Sequence, residues 1–145
     1  MSIDVKLIRK QFPSLKRKAI FVDNPAGTQV PKQVMDKVQQ YFMEANANSG
    51  GFFVTSRTSD EWVEQAHAFM ADFLNAEKTE EIVIGANITT LTFAFSRAIG
   101  KTFLKGGDRI VLTHVDHEGN VTPWTLLAED LNLKVDWIDF HHEDC

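Results

Sequence analysis

The stretch GGDRIVLTHVDHEGNVTPWTLLAEDLNLKVDWIDF, residues 106–140, decides the fold class of this chain. It begins with a short apolar run, continues through a turn of polar and small residues into a helical run, and ends in a second apolar strand at 135–140. A preceding stretch, EEIVIGANITTLTFAFSRAIG at 80–100, repeats the order of strand, tight turn and helix. Strands that alternate with helices of about 10–15 residues indicate a mostly parallel sheet with right-handed crossovers. The sequence therefore predicts an α/β fold.

The region before residue 80 is predicted to be largely helical. Apolar residues at helical spacing over 5–12 predict a short helix that Pro13 ends, and AIFVD at 19–23 predicts a short strand. A second helix is expected from Pro31, and a third from near Ser59 or Asp60, which are good N-cap residues. The predicted buried faces are Val34, Val38 and Phe42 in the second helix, and Trp62, Ala66, Phe69, Met70 and Phe73 in the third.

Composition bounds the class of protein. A chain of 145 residues that is 43% hydrophobic can bury a core, so it is not a disordered segment. The net charge of −5, without a block of like charge, argues against nucleic acid and anionic membranes as partners. Residues 1–13 have no apolar h-region, so no signal peptide is expected, and the sequence contains no run of about 20 apolar residues. The single cysteine, Cys145, rules out a disulfide framework within the chain and fits a reducing, cytoplasmic location.

The turn IGANITT at 84–90 is a candidate anion site. Ligands of open parallel sheets bind at the carboxyl ends of strands, where this turn is predicted to lie. Its small residues permit a tight turn, Asn87 can cap the helix that follows, and the free N–H groups of that helix suit a phosphate, with a threonine hydroxyl as a further donor. Plain helix capping is the alternative. A P-loop is excluded because position 95 is Phe95 rather than glycine, and no G-x-G-x-x-G occurs.

A second candidate site follows the strand that begins at Arg109. His117, next to Asp116, could stack on a planar ligand, relay a proton or bind a metal, and an ordinary exposed loop histidine is the alternative. The terminal run HHED at 141–144 is rich in metal-binding side chains, but adjacent residues do not converge on one ion as i, i+4 pairs do. We therefore expect that run to be solvated and predict no metal site.

Taken in order, these segments resemble the N-terminal part of the cysteine desulfurase-like group of class V aminotransferase-fold enzymes, which depend on pyridoxal phosphate. The resemblance spans about residues 8–140. It rests on VDNPAGTQVP, on FLNAEKTEEIVIGANITTLTFAFSRAIG, and on GDRIVLTHVDHEGNVTPWTLL, whose acid-His-x-x-Asn and Pro-Trp are similar to the family's pattern. The implied fold is the N-terminal portion of the fold type I large domain, a mostly parallel sheet with flanking helices.

The resemblance also implies a cofactor, a substrate class and site residues. The cofactor is pyridoxal 5'-phosphate in the full-length parent, the substrate an amino acid, and the assembly a homodimer. By resemblance, His117 is the catalytic histidine that lies flat over the cofactor ring, and Ile88 and Thr89 form the phosphate cup. The substrate-proximal loop maps to Pro25, Ala26 and Gly27.

Three departures from the family pattern argue against cysteine as the substrate. Where dedicated sulfur-mobilising members carry His-Arg-Gly-x-His, this chain has SGGFF at 49–53. Glu118 replaces a second histidine, and Leu91 follows the paired threonines where an acid is common. These differences leave the cofactor expectation in place.

From the resemblance we expect residues 1–45 to form a small-domain or interface segment and residues 46–145 the first part of the cofactor-binding domain. The family's Schiff-base lysine would then lie beyond residue 145, so this chain is expected to be the front part of a larger enzyme, to be inactive by itself and to associate. The alternative is a small non-catalytic α/β domain that binds a phosphate-bearing ligand at 85–90.

Overall fold

The computed structural model describes residues 3–140 and Glu143, which fall into two compact units, Met1–Ile82 and Val83–Cys145. The regular elements are α1 (Val5–Arg9), α2 (Lys32–Glu44), α3 (Val54–Leu74), α4 (Ile88–Phe103), β1 (Arg109–Thr113), α5 (Glu118–Leu131) and β2 (Lys134–Ile138). Short 3-10 turns occupy Pro13–Lys16, Asn24–Ala26 and Thr79–Glu81. No helix within 3–140 is long and apolar enough to cross a membrane.

The first unit is helical, and aromatic and polar contacts join its two longer helices. The Tyr41 hydroxyl in α2 lies 2.9 Å from the Ser59 hydroxyl in α3. The Tyr41 ring lies 6.0 Å from that of Trp62, and the Lys37 ammonium lies 3.5 Å from the centre of the same indole. These contacts fix α2 against α3 at the point where their polar side chains meet.

The loop at 48–51, between α2 and α3, is held by two side chains of α3. The buried Ser56 hydroxyl accepts the Gly51 N–H at 2.7 Å and donates to the Asn48 carbonyl at 2.5 Å. The Asp60 carboxylate accepts the Ser49 hydroxyl at 2.5 Å and the backbone N–H that follows it at 3.0 Å. These hydrogen bonds, that of Ser49 first, lower the pKa of Asp60.

The predicted start of the third helix near Ser59 or Asp60 is wrong, because α3 begins at Val54. Both residues have good N-cap side chains, but they use them on other partners. The Ser59 hydroxyl pairs with Tyr41, and the Asp60 carboxylate holds the preceding loop. An N-cap must lie outside the helix with extended backbone, and Phe53 takes that position without a side-chain hydrogen bond.

The second unit contains the predicted β-α-β arrangement. Strands β1 and β2 pair in parallel, from Arg109 opposite Lys134 to Thr113 opposite Ile138, and α5 connects them. Helix α4 packs on α5, where Leu127 is only 2% exposed. The prediction of an α/β fold with a parallel sheet and flanking helices is therefore confirmed for this unit.

Two of the predicted strands do not form. Residues 19–23 and 82–84 have no strand partner, and the sheet described for 3–140 contains only β1 and β2. Ile20 is 91% exposed and Val83 is 74% exposed. Their apolar β-branched residues favour extended backbone, but a strand forms only where a neighbouring backbone accepts and donates its hydrogen bonds.

The predicted buried faces of α2 and α3 are also largely exposed. Phe42 is 65% exposed and Phe73 is 79% exposed, although both helices form. Helical spacing identifies the apolar side of a helix, but burial requires a second element on that side. Trp62 of α3 contacts α2, but among the described residues no element covers Phe42 or Phe73. The domain boundary expected near residue 45 stays a prediction.

Candidate functional site

The turn before α4 ends in an N-cap that leaves donors free. The Asn87 side chain accepts the Thr90 N–H at 2.9 Å, and its carbonyl accepts the Leu91 N–H at 3.1 Å. The N–H groups of Ile88 and Thr89 have no acceptor among the described residues. The half-buried Thr89 hydroxyl has no partner there either. Three donors thus converge at the positive end of a 16-residue helix, which suits an anion.

In the turn after β1, His117 caps α5 and Asp116 holds the turn. The imidazole of His117 accepts the Gly119 N–H through Nδ1 at 2.9 Å. The Asp116 carboxylate accepts the His117 N–H at 2.7 Å and the Asn120 side-chain amide at 2.6 Å. The acid therefore orients the backbone of the histidine, and the histidine caps the helix.

The capping hydrogen bond also assigns the tautomer of His117. A neutral imidazole that accepts at Nδ1 carries its hydrogen on Nε2. Because Nδ1 is committed to the helix, Nε2 and the ring face are what the exposed side chain presents to a ligand. This arrangement is compatible with stacking and with proton transfer at Nε2.

Helices α4 and α5 bring the two turns together. A Cβ atom built on Gly119 would lie 2.6 Å from Thr89 Oγ1 and 3.1 Å from His117 Nδ1. The Thr89 hydroxyl and the His117 imidazole therefore flank the same buried glycine. Thr89 and His117, which the sequence suggested as site residues, therefore lie together in the second unit, and Ile88 precedes Thr89 in α4.

A shallow cavity of about 390 Å³ lies along β1 and the first half of α5. Its lining includes Asp116 and Asn120, but neither Thr89 nor His117. The remaining lining residues are Ile110, Val111, Leu112, Thr113, Trp124 and Ile138. We place the candidate site at the two helix N-termini because the free donors of α4 and the exposed ring of His117 are there.

The predicted substrate-proximal loop lies in the first unit. Pro25 and Ala26 belong to the short turn Asn24–Ala26, and Gly27 follows it in extended backbone. All three residues are exposed, and a 3.1 Å hydrogen bond from the Asn24 amide to Gln29 crosses the loop. Their role near a substrate stays a prediction.

Sequence reasoning overlooked two features of the site. The Asp116–Asn120 hydrogen bond has an i, i+4 signal that could have indicated it, whereas the contact of Gly119 with Thr89 has none. The cluster at 141–144 and Cys145 fall outside the described residues, except for Glu143. Among the described residues, no three metal-binding side chains converge.

The model of the aminotransferase class-V family matches residues 20–144, and the chain belongs to that family. It is 34% identical over 140 residues to the aminotransferase-like protein FGM3 of Gibberella zeae, covering 94% of this chain and 34% of that protein.

Solved structures agree with the family assignment. The apo cysteine desulfurase from Thermococcus onnurineus NA1 superposes with a TM-score of 0.83 at 32% identity, covering 97% of this chain and 34% of that one. A mutant of C-DES with glycine covalently linked to its PLP cofactor gives a TM-score of 0.72 at 20% identity, covering 91% and 33% respectively. The chain thus spans about a third of the length of its relatives and corresponds to their N-terminal region. The predicted family and fold are confirmed.

Proposed function

We propose that this chain is the N-terminal region of a pyridoxal-phosphate-dependent enzyme that acts on an amino acid. The observation that carries the proposal is the convergence of the Thr89 hydroxyl and the His117 imidazole on either side of Gly119. The family assignment supplies the cofactor class, and the paired N-termini supply a place for its two recognisable parts, a phosphate and a planar ring.

The residues present fit the phosphate of that cofactor. The N–H groups of Ile88 and Thr89 and the Thr89 hydroxyl are donors without partners among the described residues, at the end of α4 where the helix dipole favours an anion. Charge-assisted hydrogen bonds from such donors are about twice as strong as neutral ones. These groups would hold the phosphate.

The residues also fit the planar ring. His117 is exposed, and its Nδ1 is fixed by the Gly119 N–H, so the imidazole has a defined orientation. When bound, pyridoxal phosphate serves as an electron sink for a carbanion on the substrate. His117 would lie against its ring and could hold or move a proton at Nε2.

Substrate, assembly and location are further parts of the proposal. Family members act on amino acids, and the replacements at 49–53, Leu91 and Glu118 favour a substrate other than cysteine. The exposed apolar faces of α2 and α3 would support a homodimer of the parent enzyme. A cytoplasmic location is proposed from the single cysteine.

The test is binding of pyridoxal 5'-phosphate and of inorganic phosphate to the 145-residue chain, measured by calorimetry. Thr89→Ala removes one charge-assisted hydrogen bond and should weaken both ligands by about 1.5–3 kcal/mol, or roughly 10- to 150-fold. Thr90→Ala is the matched control, because Thr90 is exposed in the same helical turn and its hydroxyl makes no hydrogen bond among the described residues.

Two outcomes would contradict the proposal. Equal affinities for Thr89→Ala and Thr90→Ala would show that the phosphate binds elsewhere. The second outcome is that pyridoxal phosphate binds no more tightly than inorganic phosphate and that His117→Ala does not change its affinity. This outcome would favour a phosphate-binding domain without a site for the ring.

A further inference from the structure

We infer that Gly119 is a positioning residue, whose missing side chain lets the Thr89 hydroxyl lie beside His117. The inference rests on the proposed function, since it concerns the same phosphate site. In this role Gly119 acts through Thr89 and does not itself contact the cofactor.

The geometry around Gly119 leaves no room for a methyl group. A Cβ at this position would lie 2.6 Å from Thr89 Oγ1, 3.1 Å from His117 Nδ1 and 3.5 Å from His117 Cε1. Favourable contacts between non-bonded heavy atoms lie at about 3.5–4.0 Å, so the first distance is repulsive. Gly119 is buried, and a side chain there cannot turn into solvent.

Of the two neighbours, Thr89 is the one expected to move. His117 is held through its ring by the Gly119 N–H and through its backbone N–H by Asp116. The Thr89 hydroxyl has no hydrogen bond within the described residues. Threonine in a helix has two accessible χ1 rotamers, so the Thr89 hydroxyl can change position while α4 stays intact. Alanine at 119 should shift Thr89 to another rotamer, which removes its hydroxyl from the site.

The helix itself gives no reason for a glycine here. Gly119 does not have the positive φ that would require a glycine, and alanine is a good helix former. The close approach of α4 is the feature that accounts for the glycine. The expected effect of Gly119→Ala is therefore on ligand affinity, with the helices retained.

The experiment is a double-mutant cycle on the 145-residue chain with wild type, Thr89→Ala, Gly119→Ala and the double variant. Affinities for pyridoxal 5'-phosphate and for inorganic phosphate are measured by calorimetry. Gly119→Ala should weaken both about 10- to 100-fold, close to the loss for Thr89→Ala, because each removes the same charge-assisted hydrogen bond. The double variant should bind within about twofold of either single variant, since the two changes act on one group.

A second readout follows the hydroxyl directly. The χ1 rotamer of Thr89, measured by NMR couplings to its labelled methyl group, should change in Gly119→Ala without ligand. Gly106→Ala is the matched control for glycine replacement, because the nearest atom to its added Cβ is the Leu131 carbonyl oxygen at an ordinary 3.4 Å. It should leave both the affinity and the Thr89 rotamer unchanged.

The outcomes separate this inference from the proposed function. If Thr89→Ala weakens binding and Gly119→Ala does not, the positioning role is refuted and the phosphate site stands. If the two losses add in the double variant, Gly119 acts on something other than the hydroxyl and the inference is refuted. If Thr89→Ala has no effect, both are refuted. If Gly119→Ala unfolds the chain, the double variant is expected to fold, because it lacks the Thr89 hydroxyl that the added methyl group meets. A double variant that also fails to fold refutes the inference.

Discussion

Replacing Gly100 by alanine should destabilise the second unit, although alanine is the better helix former. Gly100 lies in α4 where it meets α5, and an added Cβ would lie 2.5 Å from Leu127 Cδ1 and 3.1 Å from Leu131 Cδ1. Leu127 is 2% exposed, so its methyl groups cannot move out into solvent. Overpacking of this kind costs about 1–3 kcal/mol, against a gain of about 1 kcal/mol in helix propensity. We expect a net loss of up to about 2 kcal/mol.

The assay is urea unfolding followed by far-ultraviolet circular dichroism. Gly106→Ala is the control, because it adds the same methyl group outside the α4–α5 contact and meets only an ordinary 3.4 Å neighbour. Shortening the opposing side chain in Gly100→Ala/Leu127→Val should recover part of the loss. A rise in stability of about 1 kcal/mol for Gly100→Ala, the value that helix propensity alone predicts, would refute the close packing of α4 on α5.

Three further outcomes follow from the described contacts. Hydrogen bonding to Arg109 lowers the pKa of Asp136 from its ordinary value of 3.8. The stability that this pair contributes is therefore full above pH 3.8 and is lost as the pH falls through the lower pKa of the folded state. The Asp136→Asn variant should lack this loss of stability in acid unfolding. Asp60→Asn should speed hydrogen exchange at the Gly50 amide, whereas unchanged exchange would mean that the carboxylate does not hold the loop. Borohydride reduction with pyridoxal phosphate should give scattered, substoichiometric lysine labelling, and a single stoichiometric adduct would contradict the absence of a Schiff-base lysine in these 145 residues.

The sequence determined the local features of this protein well. Asn87 caps α4 as its side chain predicted, and the helical spacing of apolar residues identified α2. The alternation of strand and helix correctly indicated the parallel pair β1 and β2. These features depend on residues close in the chain, on backbone propensity and capping, and so can be inferred from sequence alone.

Tertiary structure alone decided which of these features act together. The extended residues at 19–23 have the composition of a strand but no partner, because sheet hydrogen bonds come from a distant part of a chain. The site shows the same dependence. Thr89 and His117 are each plausible from sequence, but their meeting at Gly119 follows from the packing of α4 on α5. Glycine ordinarily destabilises a helix. At Gly119 the missing side chain allows α4 and α5 to approach closely, and no local sequence pattern indicates that approach.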